Sequence, residues 1–380
     1  MRIADLRAVP ISFPVPAEKS VRLGIGRSVK RDSVLVRVET DEGHVGWGEA
    51  HHGRAPGAVA RLLDTTMREL VLGMDACDVS GVWARVYKMQ LASHGMGAAA
   101  ALALSGLDMA LWDLRCQLTG WPLYRLLGGT AKPIKAYAGG IALGWQEPAA
   151  LADEALAHVR DGYRALKLRV GDTWKKDIER VRAVRQAVGD SIELLVDANT
   201  AYSIDDVRRV MPAYEEAGIG WLEEPFPPQD RRAYKVAASL GRVPLAAGEN
   251  HYTRYEFATL LEDGHVLFVQ PDLSKTGGVT EAMRIAAMAS ALKLSVNPHT
   301  SATAVNMATT IHYLCAVDNP GYFEGDVTSF NPFRDHLADR APYALDAEGC
   351  VRPYDAIGVG LKIDQNFIAE HPLIEGPCYI

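Results

Sequence analysis

Three acids recur at one interval: Asp197 in VDAN, Glu223 in LEEP and Glu249 in GEN stand 26 positions apart. Each closes a short apolar run, so each sits at the end of a candidate strand. Carboxylates gathered at one place repel one another unless a cation lies among them. Oxygen donors with room for water favour Mg²⁺, with Mn²⁺ as a possible substitute. A single acid in such a place reads as a helix cap or a surface ion pair; three at equal spacing on consecutive strands do not. Beyond them Asp272 ends VLFVQPD and His299 ends LSVNPH. A carboxylate beside one imidazole nitrogen leaves the other free as acid or base. Glu324, in GYFEGD, ends the last such run, opposite the two cations of RALKLRV, Lys167 and Arg169. In a strand those two point the same way, and buried together they require negative partners.

These residues need a scaffold that turns all strand ends to one side. From about residue 134, strand-like runs alternate with amphipathic helical stretches such as KKDIERVRAVRQAVG and TEAMRIAAMASALK. Eight strands and seven crossovers predict an α/β fold, a modified TIM barrel of the (β/α)7β kind, whose C-terminal strand ends face one mouth. An open doubly wound sheet is the alternative, but no GxGxxG follows an early strand. Ahead of the barrel, RIADLRAVPISF and SVLVRVET read as strands, DEG as a turn into HVGWGEA, and 57–72, 78–91 and AALALSGLDMALWDLRCQLTG as helices, the last closed by Gly120. The expected division is an N-terminal α+β capping domain over 1–125, a barrel over 126–354 and a C-terminal segment, 355–380, that returns to complete the cap. If the cap folds over the mouth, His51, His52, Arg22 and Arg54 become candidates for substrate contact. Asp108 and Asp113, on the long helix, read as structural. The lone Gly24-Ile25-Gly26 and the Gly277-Gly278 pair read as turns rather than phosphate cradles.

The 40 Lys and Arg against 47 Asp and Glu carry no block of one sign, which excludes nucleic acid and anionic membrane as expected partners. Five scattered cysteines without a CxxC pair read as reduced packing residues in a cytoplasmic protein. Neither an export signal nor a run able to span a bilayer is expected.

GWGEA, SGLDMALWDLRCQLTGWPLYRLLGG, the ordered acids and the Asp272–His299 pair, 27 positions apart, together resemble the enolase superfamily and, within it, the mandelate racemase subgroup. The likeness runs over essentially the whole chain. GEN with Glu249 resembles the mandelate racemase type; the muconate lactonizing type usually has Asp there. The resemblance implies abstraction of the proton α to a carboxylate and an ene-diolate held by Mg²⁺. It implies Asp197, Glu223 and Glu249 as metal ligands and His299 with Asp272 as acid or base. Asn199 would be a nearby polar contact, Glu324 a neighbour of the substrate carboxylate, and Lys167, as the first Lys of a KxK, its ligand. It also implies a homo-oligomer, dimer or octamer, acting on a small hydroxy carboxylate.

The second Lys of KxK is Arg169 here. A guanidinium, with a pKa above ~12, is a poor base and a good clamp for oxyanions. Racemisation requires proton transfer on both faces, whereas dehydration of a hydroxy acid can use His299 alone, first as base and then as acid. The expected activity is therefore Mg²⁺-dependent dehydration of an acid sugar. The alternatives are an epimerase, racemase or cycloisomerase, for which Lys275 of SKTGG lies where the muconate lactonizing type places a lysine, and a non-catalytic carbohydrate-binding barrel, for which intact acids and an intact dyad are superfluous.

Overall fold

The computed structural model describes residues 1–93, 95–300 and 302–380. An antiparallel sheet of Ile3–Pro14, Lys30–Thr40 and Val45–Ala50 opens the chain, with the middle strand paired to both others. In VGWGEA, alternate residues face opposite sides of the sheet. Gly46 and Gly48 lie directly under the helix Ala98–Thr119. A Cβ at Gly48 would stand 2.1 Å from the Gly106 carbonyl oxygen, and one at Gly46 2.2 Å from that of Ala110. The glycines of the motif thus let helix and strand backbones touch. Trp47 and Glu49 face the other way, where Trp47 packs against a cluster that includes Val305 and Phe333 of the barrel. The stretches expected as helices over 57–72 and 78–91 are helical, but each holds a wider π turn, at Leu63–Met67 and Tyr87–Leu91. Gly120, at φ +68°, ends the long helix as expected.

Eight parallel strands follow: Ile134–Gly139, Ala165–Arg169, Glu193–Asp197, Ile219–Glu223, Leu245–Ala247, Val266–Val269, Ser295–Val296 and Phe323–Asp326. The first seven pair in chain order and the eighth pairs with the first. A parallel bridge between Val296 and Pro320 joins the seventh to the approach of the eighth. A helix occupies each of the seven crossovers, from Pro148–Arg160 to Ala304–Ala316. Outward residues such as Leu166, Leu168, Val196 and Leu222 pack against helix residues such as Val181 and Val207 in the main core. Inward residues Tyr137, Ala165, Leu195, Trp221 and Ala246 form the barrel floor.

Toward the C-terminal ends the inward layer becomes charged. Arg169 lies in register with Asp197, and Asp197 with Glu223, so three charged side chains stand abreast on adjacent strands. After the barrel, Cys350–Val351 pairs with the first barrel strand. The chain then returns to the cap, where Pro372 bridges to Ile11 and Tyr379 to Ser28. Among the described residues, no helix is long and apolar enough to cross a membrane.

Candidate active site

Lys167 and Arg169 are both buried, and both meet acids. The Lys167 ammonium lies 2.8 Å from Glu223, 3.0 Å from Glu324 and 3.6 Å from Asp197. Burial disfavours its charge, but Glu223 and Glu324 more than offset that and hold its pKa well above the ordinary lysine value. Arg169 bonds to Asp197 and to the Gly140 carbonyl, with Glu324 at 3.9 Å. Burial opposes its charge too, yet Asp197 and Glu324 raise its pKa above an already high value, so it stays a fixed cation. Glu324 accepts from the backbone amides of Gly140 and Thr300. Burial favours its neutral form, but Lys167, His299 and Arg169 prevail and hold it down to about 2. Its charge is thus matched by the two cations of the second barrel strand.

The acids expected to bind a metal end the third, fourth and fifth strands or follow them directly. Asp197 accepts from the Asn199 amide at 2.8 Å and its side chain at 3.2 Å. Glu223 takes the Gln270 side chain at 2.7 Å and the Trp221 indole at 3.1 Å. Burial, together with Asp197, Glu324 and Glu249, outweighs Lys167 and pushes Glu223 up to about 7. Glu249 lies 2.7 Å from His299 and 3.7 Å from Lys275. Beside it the second acid of LEEP, Glu224, accepts from Asn250 at 2.6 Å. Burial and the charge of Glu249 raise Glu224 well above the ordinary carboxyl value. Among the described residues, Glu224 Oε1 and Asn199 Oδ1 are buried without a hydrogen-bond partner. A crowd of mutually repelling carboxylates with orphaned oxygens beside it fits a hard divalent cation, whose ligands are oxygen. Asp197, Glu223 and Glu249 are the residues that would hold it, with Asn199 and Glu224 adjacent.

The dyad forms across the sixth and seventh strand ends. His299 Nδ1 lies 2.7 Å from one Asp272 oxygen, while the other accepts from Ser274 N and Oγ, each at 2.7 Å, and from Asn306 at 3.2 Å. His299 Nε2 faces Glu249. Burial favours neutral imidazole, but Glu249, Glu324 and Asp272 outweigh it and raise His299 to about 10.

Above these groups lies a cavity of about 410 Å³, walled by Arg169, Asn199, Glu249, Lys275 and His299 from the barrel and by His51 and His52 from the cap. Asp197 and Glu324 lie within ion-pairing distance of Arg169 in that wall and Asp272 of His299, while Lys167 joins Asp197, Glu223 and Glu324. Arg22 is exposed and does not reach the wall; its neighbour Leu23 turns inward instead, as alternation in the short hairpin Arg22–Leu23/Gly26–Arg27 requires. His51 Nδ1 accepts from Gly53 N and His52 Nδ1 from Arg54 N, so both rings present Nε2–H. Asp32, Cys378 and Tyr379 also reach the cavity, though only the return of the C-terminal segment brings the last two there. Asp32, His52 and Cys378 could themselves ligate a cation. Burial, then Lys275, Arg31, Arg54 and Lys30, lower His52 to about 3, and such a cationic rim suits an anionic ligand better than a second metal. Six of the seven non-glycine residues with positive φ among those described, Arg54, Leu143, Asn199, Thr200, Glu224 and Thr253, lie at or beside this mouth, where backbone strain commonly marks function.

Residues 150–367 match the family described as enolase C-terminal domain-like, and residues 8–128 match the mandelate racemase / muconate lactonizing enzyme N-terminal domain. The chain is 32% identical over 289 residues to arabinonate dehydratase of Saccharolobus solfataricus, covering 76% of this chain and 77% of that protein. It is 33% identical over 344 residues to 3,6-anhydro-alpha-L-galactonate cycloisomerase of Streptomyces coelicolor, covering 89% and 91%. Among solved structures, an enolase superfamily member from Polaromonas sp. JS666 superposes with a TM-score of 0.97 at 51% identity over 100% of both chains. A racemase from Streptomyces coelicolor with bound magnesium superposes at 0.88, with 29% identity over 98% of this chain and 100% of that one.

Proposed function

The chain belongs to the mandelate racemase / muconate lactonizing enzyme family of the enolase superfamily, and on that premise we propose that it is a Mg²⁺-dependent dehydratase of an acid sugar or related hydroxy carboxylate. The observation that carries this reading is an asymmetry: one wall of the cavity holds a hydrogen-bonded base, His299 on Asp272 at 2.7 Å, and the second strand opposes it with Arg169, which cannot give up its proton at ordinary pH. Asp197, Glu223 and Glu249 are assigned as cation ligands. Bound there, the cation supplies positive charge to the substrate carboxylate as its α-proton leaves.

The chain's own residues carry the rest. Lys167 and Arg169 hold the carboxylate, with the anion of Glu324 fixing both cations in place. Asn199 and His51, which line the cavity, would orient the substrate hydroxyls. In the structure His299 Nε2 is engaged by Glu249, whose charge is the largest influence raising the imidazole pKa. Were Glu249 to hold a cation, its charge would no longer raise the imidazole, and His299 would be free to act as the neutral base. His299 Nε2 then takes the α-proton; the β-carbon–oxygen bond breaks, and the same proton passes to the departing hydroxyl, which leaves as water. The enol product tautomerises to a 2-keto-3-deoxy acid.

Lys275 favours a second reading. Its ammonium lies in the same cavity, 3.7 Å from Glu249, where a cycloisomerase would use it. Incubation with a panel of acid sugars and Mg²⁺, assayed for 2-keto-3-deoxy acids, tests the dehydratase. Exchange of the α-proton in D₂O without loss of water would instead support the isomerase, and inactivity across a broad panel would count against both.

A further inference from the structure

Glu49, the acid of GWGEA, is fully buried, and among the described residues no cation lies within ion-pairing distance of it. One carboxyl oxygen accepts from Ser33 Oγ at 3.1 Å; the other accepts from Thr303 Oγ1 at 2.5 Å and from the Asn306 backbone amide at 3.0 Å. Ser33 belongs to the cap. Thr303 and Asn306 belong to the barrel, more than 250 residues later in the chain, at the N-terminus of the helix Ala304–Ala316. Thr303 is that helix's N-cap, its hydroxyl accepting from Val305 N at 3.1 Å, and Asn306 lies in the first turn. Glu49 therefore caps a barrel helix from another domain, satisfying one of the amides that a helix N-terminus leaves free.

The chain of contacts does not end there. The Asn306 side chain donates to Asp272 at 3.2 Å, and the other Asp272 oxygen meets His299 Nδ1 at 2.7 Å. Cap acid, first-turn asparagine, carboxylate and imidazole thus form one continuous line. A buried carboxyl without a counter-charge is costly, and a simple docking contact could be made by an apolar residue. What an apolar residue cannot do is fix the first turn of this helix, and with it the amide that orients Asp272.

We propose that Glu49 is a positioning residue for the base: when the cap is seated, it sets the Asn306–Asp272–His299 line, so that cap docking and base alignment are one event. The proposal rests on the assignment of His299 as the base. Its test uses the full-length protein with Mg²⁺ in four forms: Glu49→Ala, Glu49→Gln, Asn306→Ala and the double variant Glu49→Ala/Asn306→Ala. Glu49→Ala is expected to lower kcat about 10- to 100-fold, with KM and Mg²⁺ affinity changed less than about 3-fold. Glu49→Gln keeps an acceptor oxygen for the Asn306 amide and should recover most of that loss. Asn306→Ala should reproduce the loss, and the double variant should be no worse than either single one, as expected for two residues in one line. Additive losses, or no rescue by glutamine, would reduce Glu49 to a structural contact. Crystal structures of the variants decide the matter without turnover. A displaced Asp272–His299 pair in Glu49→Ala supports the proposal even if every acid sugar tried proves not to be a substrate, and an undisturbed pair overturns it. If Glu49→Ala does not fold, the Asn306→Ala structure and kinetics decide between the same outcomes.

Discussion

Two groups of largely buried acids in this protein are held in different ways. At the barrel mouth, Asp197, Glu223, Glu249 and Glu324 lie within ion-pairing distance of Lys167, Arg169, Lys275 or His299. In the cap and along its seam with the barrel, Glu49, Asp108 and Asp113 have no such cation among the described residues. Asp108 accepts from the Thr280 amide of a barrel helix at 2.9 Å, and Asp113 from Trp47 N and the Gln117 side chain, each at 3.1 Å. Burial raises these three to about 7, 7 and 6. The difference separates two uses of a carboxyl group. Ion pairs at the mouth can exchange partners when a cation and an anionic substrate arrive, whereas the seam carboxyls, which answer no cation among the described residues, hold backbone amides and hydroxyls in place and have nothing to exchange.

Removing the counter-charge at the mouth should break this contrast most severely. Lys167→Met leaves three carboxylates facing one another and is expected to cost about 3–5 kcal/mol of stability, measured by urea unfolding; saturating Mg²⁺ should return part of it. An unchanged unfolding midpoint would mean that the acids do not depend on Lys167. Next in size, His299→Asn should lower turnover by roughly 10²–10⁴-fold while Mg²⁺ still binds by calorimetry. Turnover equal to that of the parent would remove the dyad from the mechanism.

The seam should respond to pH in the opposite sense to a paired acid. Because the folded-state pKa of Glu49 is raised from 4.5 to about 7, the folded protein binds the proton more tightly than the unfolded chain does. The stabilisation is complete below about pH 4.5 and is lost as pH rises through about 7, by up to about 3 kcal/mol for this one group. The stability of Glu49→Gln relative to the parent should therefore rise across that window, as read by thermal unfolding at a series of pH values. A constant difference would show that Glu49 is ionised throughout. The smallest expected effect sharpens the assignment of the mouth itself. Arg169→Lys should raise KM about tenfold through loss of a guanidinium clamp and introduce α-proton exchange in D₂O, because a lysine can yield its proton. No exchange would mean that the second face lacks access to the α-carbon.

Legibility in the sequence followed the range of the interaction involved. The acids at 26-residue spacing could be read because strand direction and side-chain alternation are local rules, and in the folded chain all three stand at one mouth. RALKLRV is intelligible for the same reason: its cations project inward together and meet Glu223, Glu324 and Asp197. Glu224 and Asn250 are hard to single out because their neighbours in LEEP and GEN are the more evident ligands; the one local signal is the doubled acid itself. Loop position alone points Arg22 toward substrate, but alternation in its hairpin turns Leu23 inward in its place.

The sequence by itself determined the β/α alternation, the family, the ordered acids and the substitution of arginine for a second lysine. Each of these is carried by residues whose meaning depends on near neighbours or on a repeating period. Only the tertiary structure decided which cation answers which acid, which part of the C-terminal segment walls the cavity, and that Glu49 reaches the helix behind His299. Those contacts join residues separated by up to hundreds of positions. They exist only once cap and barrel are docked, because burial and the demand for hydrogen-bond partners act on the packed surfaces rather than on the local chain.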